Sequence, residues 1–262
     1  MRASGEAPRA YGGQAHLYDP EYATFDQDVA FFRQRLLAAD VRGPLLELGT
    51  GTGRVALPLV RAGWEVHGVD VSEAMLRRAR ARRARLPAAE RARLHLSRQD
   101  VTQMRVPGRF AAVLAPFGLL TLLPDAAARA ACLRACRAHL STGGRLWVDV
   151  AAATPQGPAE RSFTSRFKLP RGGRLVEKHT VQRRVSDGVA VEIEYHYREL
   201  AADGETELDR FVVAFVLQIV DEATLIDEVE AAGFELLELF GDWKGGPSTR
   251  ESPRSIIEAR AR

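Results

Sequence analysis

The chain has 262 residues, 46% of them hydrophobic and 27% charged, which suits one folded domain or one domain with a sizeable insertion. No apolar stretch reaches about 18 residues, so no membrane-spanning helix is expected. The net charge is +3, and only three of the 37 basic residues are lysines, a usage that reads as the bias of a GC-rich genome rather than as a nucleic-acid footprint.

Met1 to Ala10 is polar and small. It has no apolar signal core, so a cytoplasmic location is the default, and it reads as a mobile end. Two aromatics, Tyr18 and Tyr22, then flank Asp19, Pro20 and Glu21. Residues 26–40 show helical spacing of Val29, Phe32, Leu36 and Leu37. A short apolar run at 44–49 reads as a buried strand, and Gly49, Gly51 and Gly53 follow it at spacings of two. A helix over 53–63 comes next. Glycines there allow a tight turn whose backbone N–H groups approach a ligand closely. A dinucleotide fingerprint needs glycine at the sixth place of G-x-G-x-x-G, and that place is Arg54. The pattern is instead E-x-G-x-G-x-G, opened by Glu47.

Residues 65–70 read as a second strand ending in Asp70, and Ser72 is a candidate cap for a helix over 73–85. That helix carries Arg77, Arg78, Arg80, Arg82, Arg83 and Arg85, continued by Arg91 and Arg93. Such a run can hold phosphates, but no aromatics interleave with it, so a solvated face is the plainer reading. Further strands are expected at 92–97, 109–115 and 145–150, with a helix at 125–140 that ends in the glycines of 141–144. Cys132 and Cys136 lie four apart on that helix. No other cysteine completes a zinc set, so they read as small buried hydrophobes and no metal is expected.

Beyond Val150 the pattern changes to long β-rich stretches at 174–185, 189–199 and 205–220, joined by turns at 186–188 and 201–204. Val189, Val191, Ile193, Tyr195 and Tyr197 alternate with Glu192, Glu194 and His196, so these sets fall on opposite faces of one strand. Helical periodicity returns at 221–232, and strands at 234–240 and 254–260 close the chain. The fold class is therefore α/β: a doubly wound, mostly parallel sheet with an antiparallel β insert after its fifth strand. Four parts follow: an N-terminal lid and helix (1–40), an α/β core (41–150), an insert (151–220) that shapes a substrate site or an oligomer interface, and the completion of the core (221–262).

The segment Glu47 to Arg54 resembles motif I of the class I S-adenosylmethionine-dependent methyltransferases. Gly68 to Leu76 is similar to that family's G-x-D-x-S-x-x-M-L segment. Tyr18–Tyr22 resembles a Y-D-x-x-Y segment of the small-molecule group, which includes amino-sugar and glycine/sarcosine-type N-methyltransferases. Residues 239–257 look like that group's C-terminal G-D-[YW] and S-x-R-x-I-I elements. The resemblance implies a Rossmann-like sheet of seven strands in the order 3-2-1-4-5-7-6, the last antiparallel. It also implies S-adenosylmethionine as cofactor and S-adenosylhomocysteine as product. By resemblance, Glu47, Gly49, Gly51, Gly53, Arg54, Asp70, Val71 and Met75 would hold the cofactor, with Asp100 and Val101 at the adenine. Ala115, Phe117 and Tyr18 would complete that site, and Tyr22 would line the reaction centre.

One departure matters. Residues 115–123 are similar to the family's A-P-F-N-S-x-x-H-L segment, but Gly118, Leu119 and Leu122 replace its Asn, Ser and His. A base, if one is needed, must come from elsewhere, and the insert offers His179, Tyr195, His196 and Tyr197, of which Tyr195 and His196 are the leading candidates. The expected acceptor is a nitrogen or oxygen of a small molecule, a natural-product intermediate or metabolite. No membrane partner is expected, nucleic acid is disfavoured, and a homodimer is allowed. An RNA or protein methyltransferase, or a non-methylating protein that binds the same cofactor, stands as the alternative.

Overall fold

The computed structural model describes residues 13–152, 159–170, 172–185 and 188–262. The end expected to be mobile, Met1 to Ala10, and Ser186 and Asp187 of the first insert turn lie outside these residues. In chain order the elements open with α1 (Ala15–Glu21), α2 (Gln27–Ala38), β1 (Leu45–Leu48), α3 (Ala56–Arg61), β2 (Val66–Asp70) and α4 (Glu73–Arg83). They continue with α5 (Ala88–Ala92), β3 (Leu94–Arg98), β4 (Phe110–Ala115), a 3-10 turn at Leu119–Leu122, α6 (Ala126–His139) and β5 (Leu140–Ala151). The remainder is β6 (Glu160–Lys168), β7 (Leu175–Arg184), β8 (Ala190–Leu200), β9 (Glu207–Gln218), α7 (Glu222–Ala231), β10 (Phe234–Phe240) and β11 (Arg254–Ala261). They form two compact units, Phe25–Ala153 with Val220–Arg262, and Met1–Thr24 with Thr154–Ile219. The boundary between the units falls between Thr24 and Phe25.

The larger unit is a seven-stranded sheet in the order β10-β11-β5-β4-β1-β2-β3. Strands β1 to β5 pair in parallel, and β11 runs antiparallel to both β5 and β10. This is the order the family resemblance implies. Its strands are apolar because both faces are covered. Leu46, Leu48, Val69 and Val113 enter the core on one side, and Leu45, Val66, Leu94 and Leu114 the core on the other. Each fully buried side chain of this size contributes about 1.5–3 kcal/mol. Cys132 and Cys136 are fully buried in the first core, as their helical spacing suggested.

Three details differ from the sequence reading. Leu37 is 61% exposed, and Phe31 takes the buried place instead. The α6 helix stops at His139, and residues 140–144 already belong to β5, with Gly143 at φ +73° where the register to β4 shifts. A fourth insert strand, β6, was not expected at all. No helix among the described residues is long and apolar enough to cross a membrane.

The smaller unit is an antiparallel meander, β6-β7-β8-β9. Register places Lys178, Tyr197 and Phe211 side by side, and Thr180 beside Tyr195 and Val213. Val176, Lys178, Thr180, Ile193, Tyr197 and Glu199 are buried on this face. His179, Glu194, His196 and Val212 occupy the other face, where Val212 is exposed. Tyr195 and His196 therefore point to opposite sides of β8.

Candidate active site

Strand β1 ends at Leu48, and the chain turns through Gly49, Gly51 and Gly53 at φ +62°, +56° and +78°. Only glycine takes these angles without strain. A Cβ on Gly51 would stand 3.2 Å from Met75 Cε and 4.0 Å from Asp70 Oδ2. The bare backbone is what lets this loop lie against the end of β2. Asp70 closes it from the other side: Oδ2 accepts from Gly51 N at 2.8 Å and Oδ1 from Ser72 N at 2.7 Å. Burial raises the Asp70 carboxyl above the usual range, against the pull of those backbone donors. Ser72 caps α4 by accepting from Met75 N.

Glu47 is buried beneath the loop. Burial pushes its carboxyl up to about 8, against weaker lowering by Thr50 and Arg54. Its carboxyl lies against the buried Thr50 hydroxyl, the one side-chain hydrogen-bonding group that acts on it. Thr50 packs so closely on β2 that a Cβ at Gly68 would lie 2.6 Å from Oγ1.

Asp100 Oδ1 accepts from both the amide and the hydroxyl of Thr102, which fixes the turn after β3. Val101 and Ala115 put their side chains in the core, and Val71 is 45% exposed beside Asp70. Beyond β4, Phe117 holds φ +65°, unusual for a residue with a side chain. Its amide donates to Asp149 Oδ1 at 2.6 Å, and Arg254 bonds Asp149 Oδ2 at 2.5 Å. Burial lifts Asp149 to about 6 despite Arg254. Arg54 sits between the Phe25 and Phe117 rings, 5.3 and 5.1 Å from their centroids, and is paired with buried Asp28. Sequence reasoning named Arg54 and Phe117, met Arg254 only as part of the C-terminal S-x-R-x-I-I resemblance, and missed Asp28 and Asp149.

The other expected residues lie in the smaller unit. Tyr18 is buried, its ring 4.8 Å from that of Tyr22. Glu21, between them in α1, ion-pairs with buried Lys178, and Tyr197 Oη donates to Glu21 Oε2 at 3.2 Å. Lys178 Nζ lies 3.9 Å from the Tyr195 ring centroid. Burial, with the charge of Glu21, raises the Tyr195 phenol well above its ordinary value, so it stays protonated near neutrality. His196 bonds Glu194 at 3.0 Å on the opposite face. Tyr18 and Tyr22 pair with each other, Tyr195 packs on Tyr197 and Phe215, and the Glu21–Lys178 pair connects the two groups, while His196 lies on the other face.

A cavity of about 510 Å³ lies elsewhere, lined by Pro44, Trp64, Glu65 and Arg93, residues that precede β1, β2 and β3. Open α/β sheets take ligands at the carboxyl ends of their strands, where the glycine loop and Asp70 stand.

Residues 45–144 match the family model described as a methyltransferase domain. The chain carries an S-adenosylmethionine-dependent methyltransferase domain. The methyltransferase fold extends over nearly its whole length. It superposes on the CcbJ methyltransferase of Streptomyces caelestis with a TM-score of 0.80 and 25% identity, covering 98% of this chain and 99% of that one. It also resembles S-adenosylmethionine-bound CalS10, an amino pentose methyltransferase of Micromonospora echinaspora, with a TM-score of 0.74 at 21% identity over the full length of both chains. A 68-residue stretch is 37% identical to YqeM of Bacillus subtilis (strain 168), provisionally assigned as a methyltransferase, and covers 25% of this chain and 26% of that protein. The glycine loop, open at φ values that only glycine takes freely, and Asp70 beside it suit the cofactor of such a domain.

Proposed function

We propose that this methyltransferase moves a methyl group from S-adenosylmethionine to a nitrogen of a small molecule, a natural-product intermediate or metabolite. The observation that carries the proposal is the cradle formed by Gly49, Gly51 and Asp70, with Glu47 beneath it. Bound there, S-adenosylmethionine supplies an electrophilic methyl group. Asp70 accepts hydrogen bonds from the ribose hydroxyls, and the glycine backbone allows the close approach. Met75 would hold the adenine, with Asp100, Val101, Val71, Ala115 and Phe117 around it. Arg54 supplies a fixed cation at the loop, and Glu47 a buried carboxyl.

Tyr18, Tyr22 and Tyr195 provide the aromatic wall of the acceptor site, and residues 151–220 set its shape. A nitrogen acceptor is favoured over oxygen because the groups on this wall are poor bases. Tyr195 keeps its proton, Glu21 is tied to Lys178, and Leu122 stands where relatives carry a histidine. An amine that arrives deprotonated needs orientation rather than a base. His196 is assigned no catalytic role.

The test is direct. Purified protein is incubated with S-adenosylmethionine and a panel of amines, amino sugars and matched alcohols, and products are followed by mass spectrometry. Methylated amine with stoichiometric S-adenosylhomocysteine is expected. Methylation confined to the alcohols would overturn the nitrogen assignment, and cofactor binding with no product from any acceptor would favour a non-methylating role.

A further inference from the structure

The geometry points to a zinc-type divalent metal site formed by Glu65, His67 and His95. It lies outside the methyl-transfer machinery and departs from the absence of metal expected from the cysteines. His67 and His95 are direct partners in the parallel register of β2 and β3. Their rings stack with centroids 4.3 Å apart. Glu65 immediately precedes β2, two residues before His67, so its side chain rises on the same face. Glu65 Oε1 lies 3.0 Å from His67 Nε2 and 3.3 Å from His95 Nε2. One donor atom from each residue falls within a 4.8 Å group.

These distances are those of hydrogen-bonded pairs and also fit a shared metal ion. Bonds of about 2.0–2.1 Å at a tetrahedral angle put ligand atoms roughly 3.3 Å apart. Two imidazoles and a carboxylate are a borderline donor set, which selects zinc-type ions over magnesium or calcium. Three protein ligands leave a fourth position for water. The side chains of His95 and Glu65 are 45% and 48% exposed, so the ion has an entry path, while His67 is 20% exposed and braced edge-on by Phe110.

The site lies in the amino half of β2, whereas Asp70 is at its carboxyl end, about 10 Å along the strand from His67 and about 16 Å from Glu65. Its role is therefore structural. Strand β3 is the edge of the sheet and pairs only with β2. A shared ion would clip that edge in place, which matters because an unguarded edge strand frays and invites wrong pairing. Arg83 stands close enough for its charge to be felt at His95, and its Nε donates to the Arg91 carbonyl at 3.1 Å. That charge opposes a cation, so its removal should tighten binding.

The experiment uses the full chain, stripped with a chelator and titrated with Zn2+ by calorimetry. One equivalent is expected, with a higher melting temperature and slower hydrogen exchange in residues 94–98. His95→Ala should weaken binding roughly tenfold or more, Glu65→Gln should weaken it less, and Arg83→Gln should tighten it. His16→Ala, a histidine of the other unit, should change nothing. Because His95 is half exposed, its variant remains folded even if His67→Ala does not. Zn2+ binding that survives His95→Ala, or no binding at all, overturns the site. Neither result touches the methyltransferase assignment, since S-adenosylmethionine binding is read in a separate titration.

Discussion

Asp28 and Arg54 form a two-pronged ion pair in which Nη1 meets Oδ1 at 2.8 Å and Nη2 meets Oδ2 at 2.5 Å, with Asp28 fully buried. The pair joins α2 to the turn after the glycines. It holds the guanidinium between Phe25 and Phe117, and Phe117 is in turn held by Asp149. Arg54 thus arrives at the loop with its orientation already set. Removing one partner of a buried pair strands the other charge and costs about 3–5 kcal/mol. Asp28→Asn should fold with lower stability in urea and bind S-adenosylmethionine at least several-fold more weakly. Unchanged affinity in the folded variant would show that Asp28 serves stability alone.

Asp70 is the more direct test of the cradle. A charge-assisted bond to a ribose hydroxyl is worth roughly 1.5–3 kcal/mol. Asp70→Ala should therefore weaken S-adenosylmethionine by about 10- to 100-fold. Calorimetry on the folded variant decides it, and equal affinity would remove Asp70 from the site.

Glu47 should make stability depend on pH. Its carboxyl titrates near 4.5 when unfolded and near 8 when buried. Between those values the folded chain keeps a proton that the unfolded chain has released. Rising pH thus erodes stability across this window, and the loss is complete near pH 8. Glu47→Gln keeps the neutral shape and does not titrate. Its melting temperature should match the parent near pH 5 and exceed it increasingly toward pH 8. A constant offset between the two proteins over that range would mean that Glu47 is ionised in the fold.

How much of this could be read from the chain follows from what each element buries. The strands of the larger sheet are covered on both faces, so Leu45–Leu48 and Phe110–Ala115 announce themselves as apolar runs. Strand β6 does not, because Glu160–Lys168 is an edge strand exposed along nearly its whole length and has no alternation to detect. Asp70 was legible because strand ends in this fold carry the ligand acid. Lys178 and Glu21 were not. They lie 157 residues apart and meet only when α1 lies on the meander, which no local pattern encodes.

That pair anchors α1 to the meander. His16 Nε2 also meets Glu199 Oε1 at 2.7 Å, and Arg174 reaches Glu199 Oε2 at 3.2 Å. Lys178→Met should leave Glu21 buried without its cation and loosen the helix from the sheet. Hydrogen exchange in residues 14–22 should rise well above the parent while residues 45–70 stay protected. Equal protection of α1 in both proteins would show that its apolar contacts suffice.

Tyr195 and His196 separate the two possible faces of the insert. They are neighbours on one strand, so only one can reach a given site. Tyr195 shares its face with Lys178, Tyr197 and Phe215, and its phenol is held protonated by burial and by the charge of Glu21. It can orient an acceptor through its ring and hydroxyl, but it cannot take a proton at neutral pH. Tyr195→Phe should therefore raise KM for the acceptor several-fold and change kcat little. The pH profile of kcat/KM should keep its shape between pH 6 and 10, because no titrating group has been removed. His196 is paired with Glu194 on the exposed side, and His196→Ala should retain full activity. A collapse of kcat in His196→Ala, with the profile losing a limb near neutrality, would place the acceptor on the histidine face and reverse the assignment.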